Sequence, residues 1–218
     1  MRTSMMLAGV LAIAGSAHAF VFWNNPNGTA NGFDWKDGGS DNGLFGDPVI
    51  IGNTFTFFPS GFIASGLNGT AGFISDRLEV ELIAHKNFNF TGIKITEVGD
   101  YGILGTGGVQ ASAFMVVTDL AMVRPWETDV MATTPTMPIT VGAGQWSGTM
   151  SVDLANVPGP DWFHIKLVLN NNLQAVAGAN SSSFIQKKAA GITITVLPTP
   201  GSLALLGLAG AVLGRRRR

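Results

Sequence analysis

The sequence predicts an all-β body, an antiparallel β-sandwich of jelly-roll-like order, flanked by an N-terminal signal peptide and a short C-terminal hydrophobic helix. Three observations predict it. Apolar residues recur with a period of two in several short segments, glycine reaches 29 of 218 residues while charged residues make up only 12%, and no long stretch carries a 3.6-residue period.

Taken in order, the chain opens with Met1-Arg2, an apolar run over residues 5–14, and Ser16-Ala17-His18-Ala19, small at the positions a signal peptidase reads. Cleavage is expected after Ala19, so residues 1–19 form the leader and the mature chain starts at Phe20. Residues 34–43 follow as an Asp- and Gly-rich segment that reads as a loop. Alternating patterns then occur at residues 54–57, 78–83, 93–98 and 192–196, each the signature of a half-buried strand. Residues 109–117, 146–154 and 163–169 add strands rich in β-branched and aromatic side chains, bounded by Gly, Pro, Asn or Asp. Many short strands without intervening helices bury their alternating faces by stacking two sheets. An up-and-down barrel fits the same pattern, because alternation does not order the strands. The body is expected to span residues 20–196.

Cysteine is absent, which excludes disulfides, thiol nucleophiles and cysteine-held metals. Of 13 cations, five arginines lie at the two ends; the body keeps 8 against 14 acids, a formal charge of −6. No basic stripe is available to neutralise phosphates, so nucleic acid is not an expected partner, and membrane contact is expected only through the C-terminal tail.

That tail spans residues 197–218. Pro198-Thr199-Pro200-Gly201 precedes an apolar run over residues 202–214, and Arg215, Arg216, Arg217 and Arg218 close it. A helix over the apolar run rises only about 20 Å, short for a stable span, and its arginines belong on the cytoplasmic side. This order of proline motif, short apolar helix and arginine cluster resembles the PEP-CTERM sorting tail, with Thr199 where the family motif has glutamate. The resemblance implies exosortase as a partner after signal peptidase, processing near Pro198 to Gly201, transient anchoring, and delivery to the cell surface or an extracellular matrix. A simple C-terminal membrane anchor is the plainer alternative.

Five oxygen-bearing residues, Asp34, Asp37, Asp41, Asn42 and Asp47, crowd the segment after Phe33, and calcium is the ion such ligands suit. The spacing is not that of an EF-hand, so the expectation is at most a structural calcium pinning a loop, with no cofactor required. Trp35 and Trp126 are the candidate sugar-stacking residues, the latter because Arg124, Pro125, Glu127 and Asp129 surround it. Glu79, Glu81, Glu97 and Lys94 alternate with apolar neighbours and are expected on a solvated sheet face. His85 and His164 sit in or beside strand patterns, and no nucleophile–base pair or carboxylate pair at hydrolytic spacing is evident. The expectation is a non-enzymatic surface or matrix protein of adhesive or structural role. A polysaccharide-binding module and a polysaccharide-active hydrolase or lyase stand as alternatives.

Overall fold

A computed structural model describes residues 19–122, 124–157 and 161–200. The leader through residue 18, Gly201, the apolar run and Arg215 to Arg218 lie outside the described residues, as does the side chain of Trp126. Among the described residues no helix is long and apolar enough to cross a membrane.

Fourteen strands are described. They are β1 (Val21–Phe22), β2 (Gly28–Thr29), β3 (Phe33–Ser40), β4 (Pro48–Ile51), β5 (Thr54–Phe57), β6 (Ile63–Leu67) and β7 (Ala71–Ala84). They continue as β8 (Phe88–Leu104), β9 (Gly107–Asp119), β10 (Arg124–Val130), β11 (Ala132–Thr134), β12 (Ala143–Asp153), β13 (His164–Ala177) and β14 (Ser182–Pro200). One sheet, here sheet A, runs β1-β3-β7-β13-β9-β10 with β2 beside β3. Sheet B runs β11-β12-β8-β14-β5-β4, with β6 beside the first half of β14. All pairings are antiparallel.

The long strands interleave. β7, β8 and β9 alternate between sheets A, B and A, and β12, β13 and β14 between B, A and B; β13 pairs between β7 and β9, while β8 pairs between β12 and β14. Chain neighbours therefore face one another across the core instead of pairing, which gives the jelly-roll-like sandwich and not an up-and-down barrel.

Period-two alternation fills the space between the sheets. On β13 the inward track is Ile165, Leu167, Leu169, Asn171, Leu173 and Ala175; on β8 it includes Ile93, Ile95 and Glu97. One end of the core is aromatic: Trp23 packs on Phe55 and Phe57, Phe33 on Phe55 and Phe90, and Phe45 on Phe57 and Phe62, with centroids 5.5–6.1 Å apart.

Two expectations change. Residues 33–40 form a strand with a bulge between Lys36 and Gly39, not a loop: Phe33 and Trp35 turn inward on β7, and the apolar contact outweighs the turn character of Asp and Gly. The last strand is also longer than the alternation at residues 192–196 indicates, because β14 runs from Ser182 on to Pro200. Pro198, Thr199 and Pro200 pair with Phe90, Asn89 and Phe88, after a register shift at Leu197/Pro198 where proline has no N–H to offer the ladder. Thr91 Oγ1 donates to the Leu197 carbonyl at 2.9 Å and lies 3.1 Å from Thr199 Oγ1, tying this extension down.

Candidate functional site

The five residues expected to surround calcium are held by separate partners. Asp34 accepts from Thr29 Oγ1 at 2.8 Å and contacts His85 Nε2 at 3.1 Å, and these bonds hold its carboxyl below the ordinary value of 3.8. Asp37, at φ 53°, has its N–H on Asn27 Oδ1. Asp41 faces Arg77 at 3.7 Å, Asn42 donates to Asp76 and the Ser75 carbonyl, and Asp47 accepts from the Asn24 backbone and amide. Among the described residues no three His, Cys, Asp or Glu side chains converge as an ion site.

The turn after β3 is organised by Asp76, which the sequence reading passed over. Its buried carboxylate accepts from Ser40 Oγ and from the N–H groups of Asn42, Leu44 and Arg77, all at 2.8–2.9 Å. A single carboxylate thus satisfies three donors of one turn and one of its own strand.

Trp35 is a core residue, 7% exposed, edge-on to Phe55 at 5.7 Å, with its indole N–H on the Asn25 carbonyl. It presents no face to a sugar. Trp23, Trp146 and Trp162 are also buried. Trp126 falls on β10 opposite Val117, beside an irregularity in the pairing.

The open surface that does gather polar groups is the outer face of sheet A, where β7, β13 and β9 align side chains in rows. Reading across, the rows are Glu81–Lys166–Thr118, Glu79–Val168–Val116, Arg77–Asn170–Phe114, Ser75–Asn172–Ser112 and Phe73–Gln174–Gln110. The first two rows are an ionic ladder: Glu79 contacts Arg77 and Lys166, and His164 Nε2 lies 2.6 Å from Glu81. The last three are uncharged apart from Arg77, with four amides and two hydroxyls between Phe73, 66% exposed, and Phe114. Shallow depressions flank this strip. One of about 210 Å³ is lined by Asp41, Asp76 and Arg77 together with Ser75, Asn170 and Asn172 among others; the other, about 170 Å³, by Gln110, Pro138, Thr140, Gln174 and Val176 among others.

A second constellation lies inside the sandwich. Glu97 on β8, Lys187 on β14 and Asn171 on β13 are each 5% exposed or less. Lys187 Nζ donates to Glu97 Oε2, and Asn171 Nδ2 donates to Glu97 Oε1. The ammonium lies 5.2 Å from the ring centroids of both Phe62 and Trp146. Trp146 reaches this position because its β8 partner is Gly99, where a Cβ would collide with the indole and with the Gln186 carbonyl; the indole N–H then donates to that carbonyl at 3.2 Å. Desolvation pushes the Lys187 ammonium below its ordinary value of 10.5, against the pull of Glu97.

The expectation of a solvated Glu97 is therefore corrected. Glu97 shares the parity of Ile93 and Ile95, so it faces the core while Lys94, Thr96 and Val98 face outward. Asn171 likewise shares the phase of Leu169 and Leu173, and Lys187 that of Ile185. A polar residue on the apolar phase of a strand is the signal that finds all three.

The fold and its surfaces define an all-β antiparallel sandwich with a polar sheet face and a charged core triad. No protein-family model and no curated protein matches the sequence. Among solved structures it is similar to a mutant of a family 29 carbohydrate-binding module, at 13% identity and TM-score 0.22, over 84% of this chain and 91% of that one. A further family 29 module gives 14% identity, TM-score 0.20 and coverage of 81% and 86%. An infectious bursal disease virus structure gives 13%, 0.25, 71% and 48%. The sandwich assignment rests on the strand pairing itself.

Proposed function

We propose that this chain is an exported, non-catalytic surface or matrix protein that adheres to neutral extracellular polysaccharide through the outer face of sheet A. The observation that carries the reading is the strip of Asn170, Asn172, Gln174, Gln110, Ser75 and Ser112 between Phe73 and Phe114. Amides and hydroxyls donate and accept at once, as sugar hydroxyls require, and an exposed phenyl ring offers an apolar face to the C–H side of a pyranose. Three rows two residues apart extend the strip about 13 Å along the strands, enough for a short run of sugar rings. Export and surface delivery rest on the leader-like pattern of residues 1–19 and the resemblance of residues 197–218 to a PEP-CTERM sorting tail.

Retention on immobilised neutral polysaccharides tests the reading. The wild-type sandwich is expected to be retarded on at least one polymer. An Asn172→Ala/Gln174→Ala variant and a Phe73→Ala variant are each expected to lose most of that retention with an unchanged melting midpoint. Equal retention of wild type and both variants, or none on any polymer, overturns it.

A further inference from the structure

The core triad places an amine and a carboxamide on the two oxygens of one carboxylate, in a chamber closed by Phe62 and Trp146. Burying a charged pair between two sheets costs more than most pairs return, and apolar side chains of similar volume fill such a space at least as well. The arrangement has a second irregularity: Asn171 Oδ1 is buried with no hydrogen-bond partner. A buried amide that satisfies one end and leaves its carbonyl oxygen bare carries the cost of an unmet acceptor, and that oxygen stands free to take the proton that would activate its carbonyl carbon.

We propose that Lys187 and Asn171 become joined by an intramolecular amide bond between Nζ and Cγ, with Glu97 carrying the protons. Glu97 Oε2 takes a proton from the Lys187 ammonium, leaving a neutral amine able to attack. Nζ adds to Asn171 Cγ; the Cγ–Nδ2 bond then breaks, and Nδ2, already in contact with the Glu97 carboxyl, leaves as ammonia after receiving from Glu97 the proton taken from Lys187. The second proton lost by Nζ stays on Glu97, which ends as a neutral acid beside the new amide. Charge and atoms balance without an oxidant or a co-reactant: the ammonium, carboxylate and carboxamide become a secondary amide, a carboxylic acid and ammonia.

The chamber favours each step. Desolvation already weakens the hold of Lys187 on its proton, and it strengthens every dipole that acts inside. Reactants held by the fold on the two oxygens of one carboxylate need no encounter. The product exchanges two buried charges for neutral groups. Its place in the fold is also informative: the bond would tie β13 of sheet A to β14 of sheet B, and β14 is the strand that leads into Pro198, Thr199 and Pro200. A pull on the C-terminal end of the sandwich would then be carried to the opposite sheet through a covalent link.

Intact mass under denaturing conditions, followed by protease mapping, tests this. The purified wild-type chain is expected to weigh one ammonia less than its sequence, and its digest to contain a branched peptide joining the Asn171 and Lys187 segments. Asn171→Asp is expected to lose one water instead and to arrive at the wild-type mass, while Glu97→Gln is expected to keep its full mass. A wild-type chain at full mass, a loss of water joining Lys187 to Glu97, or a branch at any other pair overturns the proposal. The wild-type measurement stands even if a variant fails to fold.

Discussion

Two sets of ion pairs in this molecule use the same side chains under opposite conditions. On the outer face of sheet A, Glu79 sits between Arg77 and Lys166, whose side chains are 41% and 40% exposed; between the sheets, Glu97 and Lys187 meet with no exposure at all. Water solvates the first set whether paired or not, so its net contribution is small. The second set has nothing but its partners, so each member holds the other in place. A sheet's two faces thus assign opposite meanings to one residue type, and parity along the strand decides which applies.

In an Asn171→Ala background, where no Lys187–Asn171 link can form, Lys187→Met leaves the Glu97 carboxyl buried without its counter-charge and is expected to cost about 3–5 kcal/mol. Lys166→Met, the same change on the outer face, is expected to cost no more than about 1 kcal/mol. Denaturant midpoints at unchanged slope measure both. A Glu97→Leu/Lys187→Met double variant sharpens the result, since removing both charges is expected to recover most of the loss. Equal costs for Lys187→Met and Lys166→Met would mean that the core triad is solvated in solution.

A middle-sized effect concerns how the chamber is shaped. Gly99→Ala introduces a methyl against the Gln186 carbonyl and the Trp146 ring, and neither the backbone nor a packed indole yields easily. The expected cost is about 1–3 kcal/mol, with the near-ultraviolet signal of Trp146 altered. Gly102, on the same strand, faces the half-exposed ring of Phe184, so Gly102→Ala is expected to cost less. The order of the two midpoints checks the claim.

Much of the fold was legible because alternation is a local property. Residues 54–57, 78–83, 93–98 and 192–196 lie in β5, β7, β8 and β14, where apolar and polar side chains take opposite faces. The segment after Phe33 was less so: Asp, Gly and Asn favour turns locally, and only the packing of Phe33 and Trp35 against β7 makes it a strand. Asp76, Asn171 and Lys187 come to their partners from strands distant in sequence, and no local pattern orders those strands. Glu97 was legible in principle, since its phase follows from Ile93 and Ile95. The outer strip of sheet A depends on the registers of three strands, which sequence spacing does not fix.

Exposed and buried groups also differ in how they tie stability to pH. Asp34 is 45% exposed, and its lowered carboxyl value comes first from the His85 hydrogen bond and then from Thr29. A carboxyl lowered on folding stabilises the native state above its ordinary 3.8 and loses that contribution as pH falls through the lower folded value. Because the group is exposed, the contribution is screened and stays under about 1 kcal/mol. Melting curves of wild type and Asp34→Asn are therefore expected to differ slightly at neutral pH and to converge in strong acid or high salt. Lys187 acts at the other end of the scale. Its folded value is lowered, so between that value and 10.5 the unfolded chain binds more protons and stability rises with pH. That alkaline rise requires a free amine: a chain carrying the Lys187–Asn171 amide lacks it, so its presence in wild type would count against the link and its absence for it, while the acid-side difference at Asp34 persists either way.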